Sequence, residues 1–262
     1  YPRYVVWELT LACNMRCEHC GSAAGKARDD ELTLDEMLRV CDELGELECE
    51  RVTLLGGEPL VHPHWGDVAA RIKQNGYLAN VITNGWTLHR ASLCDQIAEA
   101  GLSIVGISVD GLGEAHDRIR SRQGSFARIL QGIDNLKERG VPVAVATVIT
   151  NDSLDDLERL HQILVEKDVR VWQVQIGNPL GRLDRNDPVI ISPARLPELY
   201  AFIMEKKKAG GPVRIDIADN VGYYGEAEDQ GIRQHREGRF QHRAGCHAGV
   251  PALGPDPNGD VK

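Results

Sequence analysis

A repeated alternation of short apolar segments with amphipathic segments constrains the fold of this chain more than any other sequence feature. Segments with the 3.6-residue period of helices lie near 33–47, 65–75, 89–100, 125–139, 153–167 and 193–208. The apolar segments are rich in Val and Ile, as strands buried on both faces are: Tyr4–Leu11, Arg51–Leu55, Leu78–Thr83, Ile104–Val109, Val143–Ile149 and Val171–Ile176. A βα unit repeated in this way predicts parallel strands with right-handed crossovers, in either a doubly wound sheet or a barrel.

Helix boundaries are marked by capping residues. Thr33 and Ser153 have the character of N-caps, because each is followed three positions later by an acidic residue. Gly76, Gly101 and Gly140 lie where the helical pattern stops, which is where glycine often ends a helix. We therefore expect helices to begin and end at these five positions.

Polar, glycine-containing motifs follow the predicted strands at their C-terminal ends. The first strand is followed by a cysteine loop. The second to sixth strands are followed, in order, by Gly56–Pro59, Thr83–Gly85, Ser108–Gly111, Thr147–Asn151 and Gln175–Asn178. A single Asn-Gly or Gly-Gly pair usually marks only a turn. In α/β barrels, however, this end of the strands forms the catalytic mouth. The convergence of six such motifs favours a barrel with an active site at that rim.

The cysteine loop contains Cys13, Cys17 and Cys20 in the pattern CxxxCxxC. In a chain with no export signal, clustered cysteines indicate metal ligands rather than disulfides. Ferredoxin-type 4Fe–4S sites use four cysteines. Three would leave one iron open to a non-protein ligand. A structural zinc site completed by His19 or by a distant thiol is the alternative for this pattern.

The other cysteines carry less information. The chain has seven in total. Cys41 and Cys94 lie in amphipathic segments and are predicted to be buried core thiols, because a free cysteine packs as a small hydrophobic residue. Cys49 receives no assignment.

Composition narrows the classes of function. At 262 residues, with 42% apolar and 26% charged residues, the chain is sufficient for one large α/β domain. Its net charge of −9 argues against a nucleic-acid substrate, which usually requires a basic surface. The sequence contains no run of eighteen or more apolar residues, so it predicts no membrane span. We expect a cytoplasmic protein that acts on a peptide or small molecule.

The cysteine loop after the first strand and the Gly56–Pro59 motif after the second together resemble the signature of the radical S-adenosylmethionine superfamily. The resemblance covers residues 1 to about 205. It implies a partial (β/α)6 barrel over residues 1–210. It also implies a 4Fe–4S cluster on the three cysteines, with S-adenosylmethionine bound to the open iron. In that family one electron from the cluster releases a 5′-deoxyadenosyl radical, which takes a hydrogen atom from the substrate.

The resemblance also assigns residues to the methionine end of S-adenosylmethionine. Gly56 and Gly57 have no side chains, so that the backbone can approach the methionine ammonium. Glu58 is expected to offer that ammonium an anionic acceptor. Arg120 resembles the position that pairs with the methionine carboxylate.

A second group of residues is assigned to the nucleoside end. His19 lies where the family often has an aromatic residue near the adenine. Ser108 and Asp110 suit the ribose hydroxyls, because both accept hydrogen bonds and Ser also donates. Three further residues are expected to face the mouth as cofactor-binding residues: Asn84, Thr147 and Asn151.

The pattern changes after residue 210, where Gly210–Pro212 marks a break before a further strand-like segment, Val213–Ile217. Residues 211–262 resemble the opening of a SPASM or twitch extension, which carries auxiliary 4Fe–4S clusters. Cys246 and Gly259 match the first part of its cysteine pattern, and the next cysteine would lie beyond Lys262. We therefore expect the chain to be a piece of a longer protein. The alternative is that Cys246 is an ordinary loop thiol.

Three hypotheses for function follow. The first is a radical S-adenosylmethionine enzyme that modifies a ribosomally synthesised peptide, by crosslinking, epimerisation or a similar change. The resemblance also implies a reductant such as flavodoxin or ferredoxin. The second hypothesis is the tailoring of a small cofactor, such as decarboxylation of haem-related side chains. The third is a non-catalytic iron–sulfur or zinc protein that uses the barrel as a binding module.

Overall fold

The fold is an α/β half-barrel, seen in a computed structural model that describes residues 2–184, 189–218, 221 and 252–261. Within these residues eight parallel strands form one sheet in the order β7-β6-β5-β4-β3-β2-β1-β8. The strands are β1 Tyr4–Thr10, β2 Arg51–Gly56, β3 Leu78–Thr83, β4 Ile104–Ser108, β5 Val143–Ile149, β6 Val171–Ile176, β7 Arg214–Ile217 and β8 Ala252–Leu253. The sequential order of β1 to β6 and the curl of the sheet confirm the predicted partial (β/α)6 barrel.

Helices cover the convex face of the sheet. They are α1 Leu34–Glu46, α2 Trp65–Gln74, α3 Ala91–Ala100, α4 Gly113–Ile119, α5 Ser125–Glu138, α6 Asn151–Leu154, α7 Leu157–Glu166 and α8 Leu196–Ala209. In β5 every second residue from Val143 to Ile149 is buried, while the three residues between them are partly exposed. This alternation separates a core face, packed against the helices, from a face that lines the inside of the half-barrel. The short helix α4 was not among the predicted elements.

Capping confirms one predicted helix start and corrects another. Thr33 forms a capping box with Glu36 at the start of α1. Ser153 is not an N-cap, so that prediction is wrong. Thr150 caps α6, and Ser153 is its reciprocal partner one turn later, because the chain turns into a helix directly after β5. The predicted helix is therefore two helices, and α7 begins at Leu157.

Residues after 211 contribute both edge strands of the sheet. β7 pairs with β6, and β8 pairs in parallel with β1. The segment after β8 is held by Glu8 N–H, which donates to the Pro255 carbonyl at 3.0 Å, and by Leu32 N–H, which donates to Pro257 at 2.8 Å. A separate C-terminal domain from residue 211 stays a prediction, and Cys246 lies outside the described residues.

Other sequence predictions concern the core. Cys41 and Cys94 are fully buried, as expected. Gly101 adopts a left-handed conformation at the end of α3. In the described part of the chain, none of the helices is both long and apolar enough to span a membrane.

Candidate active site

The cysteine loop begins directly after β1, at the C-terminal edge of the sheet. Cys17 is buried, whereas Cys13 and Cys20 are partly exposed. Met15 N–H donates to Cys13 Sγ at 3.4 Å, and Asn84 Nδ2 lies 3.9 Å from the same sulfur. Burial raises the pKa of the Cys13 and Cys17 thiols. The donors around the sulfurs oppose that effect and favour thiolates, the form that binds metal.

A loop after β6 holds the cysteine loop from above. The Arg182 guanidinium donates to the carbonyls of Cys17 at 2.8 Å and Ala24 at 2.9 Å, and its backbone N–H donates to Cys20 at 3.0 Å. Gly181 packs so closely that a Cβ would lie 2.2 Å from the Cys20 carbonyl oxygen. The sequence does not predict this pair, because nothing local links Arg182 to a loop more than 150 residues away.

The Gly56–Pro59 turn packs against the end of β1. A Cβ on Gly56 would lie 2.2 Å from the Thr10 carbonyl oxygen, and one on Gly57 would lie 2.2 Å from that of Ala12. Gly57 N–H donates to Thr10 at 2.7 Å, and Glu58 N–H donates to Ala12 at 2.8 Å. The absence of side chains is thus required by contact within the chain itself. The approach of a methionine ammonium to these glycines stays a prediction.

The Glu58 carboxylate is fully buried and receives three hydrogen bonds from the chain. Leu60 N–H donates to Oε1 at 3.1 Å, Thr83 Oγ1 donates to Oε1 at 2.7 Å, and Asn84 N–H donates to Oε2 at 2.7 Å. Burial raises the pKa of Glu58 to about 7, against the effect of these donors. Glu58 therefore joins the turn after β2 to the end of β3. Its contact with the cofactor stays a prediction.

Asp110, Arg120 and His19 form a buried charged group beside Cys17. Asp110 Oδ2 lies 2.5 Å from an Nη of Arg120 and 3.1 Å from His19 Nε2, in close charge contacts without hydrogen-bond alignment. The other Nη of Arg120 lies 3.8 Å from Cys17 Sγ. Burial alone would raise the pKa of Asp110, but Arg120 and His19 outweigh it and hold that pKa well below its usual range. The carboxylate is thus ionised at the floor of the site.

His116 supports this group from α4. Its ring is fully buried, and Nδ1 accepts the Asp110 backbone N–H at 3.1 Å while Nε2 lies 3.3 Å from Ser125 Oγ. Burial lowers the pKa of His116 to about 4, so the ring is neutral near pH 7. His116 was not among the predicted site residues, although it lies in the same stretch as Arg120 and one helical turn before it.

Ser108 and Asn84 are on the site side of the sheet edge, but two other predicted residues are elsewhere. Ser108 is partly exposed and lies on the same face of β4 as Ile104 and Gly106, the face that lines the inside of the half-barrel. The expectation that Thr147 faces the mouth is wrong. Thr147 is buried on the helix side, where its hydroxyl accepts Trp172 Nε1–H at 2.8 Å. Asn151 uses its side-chain amide to hold the segment 190–192, donating to Ile190 and accepting from Ser192.

The donor set fits an iron–sulfur cluster with a polar ligand beside it. Three thiols share one loop, and nitrogen donors of Asn84 and Arg120 approach two of the sulfurs. His19 Nδ1 and Arg120 Nε are buried without hydrogen-bond partners among the described residues, and so can bind a polar ligand. Within the same residues, no three His, Cys, Asp or Glu side chains are arranged to hold a single metal ion. A four-iron cluster needs wider spacing, because each thiolate binds a different iron.

The half-barrel with this cysteine site defines the class of protein. Residues 7–186 match the family model of the radical SAM superfamily, and the chain belongs to that family. The family uses a 4Fe–4S cluster and S-adenosylmethionine. When bound, the cluster supplies the electron that cleaves the sulfonium bond.

The chain is also similar to several individual proteins. The chain is 31% identical to an AdoMet-dependent heme synthase of Methanosarcina barkeri, over 79% of this chain and 59% of that protein. It is also 31% identical to a PqqA peptide cyclase of Ruegeria pomeroyi, over 72% of this chain and 51% of that protein. Streptococcus suis SuiB bound to S-adenosylmethionine shares the fold, with a TM-score of 0.78 at 15% identity, over 100% of this chain and 60% of that one. The chain thus spans 59% and 51% of the length of these two curated relatives.

Proposed function

We propose that this protein cleaves S-adenosylmethionine reductively and uses the resulting radical to abstract hydrogen from a substrate. The observation that carries the proposal is the site itself. Three cysteine thiols lie in one loop, with the buried Asp110–Arg120–His19 group directly beside Cys17. This arrangement offers a cluster and, next to it, charged groups for a zwitterionic ligand.

Each residue of the site has a distinct part in this proposal. Cys13, Cys17 and Cys20 hold the cluster. Arg120 and His19 bind and orient the polar groups of S-adenosylmethionine, since each has a buried nitrogen without a partner in the described chain. The tight Gly56–Glu58 turn fixes the wall behind the cluster loop, and burial at the floor of the site excludes water from the reacting groups.

A ribosomally synthesised peptide is the substrate we propose. Support comes from the similarity to a PqqA peptide cyclase and from the fold shared with SuiB, which has also been solved bound to the precursor peptide SuiA. An extension with an auxiliary 4Fe–4S cluster, starting with Cys246, belongs to the same proposal. We place the protein in the cytoplasm, because its clustered thiols need a reducing compartment. A flavodoxin or ferredoxin would supply the electron.

Tailoring of a tetrapyrrole is the second candidate. AdoMet-dependent heme synthases of three organisms are among the relatives, and each aligns with 79% of this chain. The two candidates differ in what the resting protein binds. Saturable binding of a leader peptide favours the first, and saturable binding of a propionate-bearing tetrapyrrole, followed by absorbance, favours the second.

The reaction itself is tested by anaerobic reconstitution with iron and sulfide, followed by dithionite and S-adenosylmethionine. We expect 5′-deoxyadenosine in the reconstituted full-length protein. Cys17→Ala should lose both the cluster absorbance and 5′-deoxyadenosine, while circular dichroism shows an intact fold. Cys49→Ala is the matched control, since that buried thiol lies outside the site, and it should keep both.

Two results would count against the proposal. Unchanged iron content and turnover in Cys17→Ala would remove the cysteine loop from its role. A stable cluster that never yields 5′-deoxyadenosine, even with candidate substrates present, would instead favour a non-catalytic binding module.

A further inference from the structure

A cationic aromatic surface lies next to the site and takes no part in the proposed chemistry. Trp86 follows Asn84 and Gly85 at the C-terminal end of β3 and is partly exposed. The guanidinium carbons of Arg122 and Arg128 lie 4.2 Å and 3.8 Å from the centroid of its ring. Both distances place a guanidinium group over the indole. We call these three residues the Trp86 surface.

No carboxylate among the described residues pairs with the charges of the Trp86 surface. Within the described part of the chain, the guanidinium groups of Arg122 and Arg128 have neither an ion pair nor a hydrogen bond, and their contacts are with the Trp86 ring. Other arginines are paired, as Arg71 is with Asp42 and Arg214 is with Asp216. The chain as a whole carries a net charge of −9. Two unpaired positive charges on one indole are therefore a local reversal of the overall sign.

A short hydrogen-bonded route connects this surface to the cysteine loop. The backbone N–H of Trp86 donates to Asn84 Oδ1 at 3.0 Å. The amide nitrogen of the same side chain donates to Asn14 Oδ1 at 2.7 Å and lies 3.9 Å from Cys13 Sγ. A single side-chain amide thus separates the backbone of Trp86 from a thiol of the site. Asn84 is itself fixed by its backbone bond to Glu58.

We propose that the Trp86 surface is the docking site of an acidic one-electron carrier protein, and that electrons enter the site past Asn84. This proposal rests on the proposed function, which requires one electron for each S-adenosylmethionine cleaved. On docking, the reduced carrier loses one electron and the cluster gains it, so that a flavin hydroquinone becomes a semiquinone. Opposite charges steer the encounter of two proteins and raise its rate. The indole with its two cations gives the carrier a contact that Asn84 links to Cys13.

The test measures reduction of the cluster rather than turnover. Reconstituted full-length protein is mixed anaerobically with flavodoxin hydroquinone, and loss of the oxidised cluster absorbance is followed by stopped flow at low salt. For Arg122→Glu/Arg128→Glu we expect a roughly tenfold or larger drop in the second-order rate, as electrostatic steering predicts. Near 1 M salt, where the Debye length is about 3 Å, the variant and the parent should converge. Reduction by dithionite should stay the same in both.

Matched variants separate docking from general charge and from misfolding. Arg51→Glu/Arg170→Glu makes the same change in net charge at exposed arginines beside the N-terminal ends of β2 and β6, at the opposite edge of the sheet. It should leave the rate with flavodoxin nearly unchanged. Arg122→Gln/Arg128→Gln removes the charges without reversing them and should give an intermediate rate.

The outcomes distinguish failure of the docking proposal from failure of the proposed function. Equal rates with flavodoxin in the parent and the Glu variant would overturn the docking proposal. So would a variant that keeps its rate with flavodoxin but loses affinity for an acidic substrate peptide, because the surface would then serve the substrate. A parent protein that binds no cluster, or whose cluster dithionite cannot reduce, would instead remove the proposed function.

Discussion

Arg182 is the residue whose removal should most clearly uncouple the cysteine loop from the barrel. Arg182→Gln deletes the two guanidinium hydrogen bonds to the Cys17 and Ala24 carbonyls and leaves the backbone bond to Cys20 in place. Hydrogen bonds from a charged donor contribute about 1.5–3 kcal/mol each. Because Arg182 is partly exposed, water can replace some of this, and we take about 3 kcal/mol for the pair.

This loss should appear as local opening rather than as global unfolding. At 1.4 kcal/mol for each factor of ten, about 3 kcal/mol raises the opening equilibrium of the loop roughly a hundredfold. The core of β1 to β6 does not depend on Arg182, so the melting temperature should change little. Hydrogen exchange of the apo protein reads the loop directly, because Ala23 N–H bonds to Cys20 and Gly25 N–H bonds to Leu11.

Two variants serve as controls for this prediction. Arg182→Lys keeps the charge, but an ammonium cannot span both carbonyls as the planar fork does, so it should give part of the effect. Arg214→Gln removes an exposed guanidinium paired with Asp216 and should leave the loop protected. Unchanged exchange at Ala23 and Gly25 in Arg182→Gln, with iron and sulfide uptake equal to the parent, would refute the reasoning.

Two further predictions concern the walls of the site. Gly57→Ala places a Cβ 2.2 Å from a backbone carbonyl oxygen that cannot move alone, so we expect a loss of about 1–3 kcal/mol in unfolding free energy and reduced iron uptake. The control is Gly66→Ala, which has open space around its Cβ and should lose neither stability nor iron uptake. Equal melting curves for the two variants would contradict the packing argument. His116 has a folded pKa near 4, below its unfolded value, so the unfolded state takes up the proton first and stability falls as pH drops from about 6.5 towards 4. His116→Asn keeps an acceptor for Asp110 N–H but cannot titrate, so its unfolding free energy should fall less as the pH drops. Urea titrations at several pH values measure this difference, which is worth up to about 3 kcal/mol. An identical pH slope in the variant would show that other groups cause the loss.

Periodicity predicted the barrel well, because each strand and helix carries its own pattern of burial. β3, β5 and β6 have the predicted bounds, and the order of the strands follows from right-handed crossovers. The predicted Ser153 cap failed for a local reason. Two polar residues, Thr150 and Ser153, compete for the same role, and the one that directly follows the strand takes it.

Fewer features of the site than of the barrel could be predicted from the sequence. The cysteine spacing alone was enough to predict three candidate ligands, because a metal loop imposes residue types at fixed spacing. The sequence also predicted a close approach at Gly56 and Gly57, but assigned it to the methionine ammonium rather than to the carbonyls of Thr10 and Ala12. Folding, and no local pattern, selects the partners of the charged residues. It gave Asp110 to Arg120 and His19, turned Thr147 towards the helices, and brought Arg182 onto the cysteine loop. These contacts join residues far apart in the chain, and no local pattern encodes the partner of a side chain that folding alone brings near.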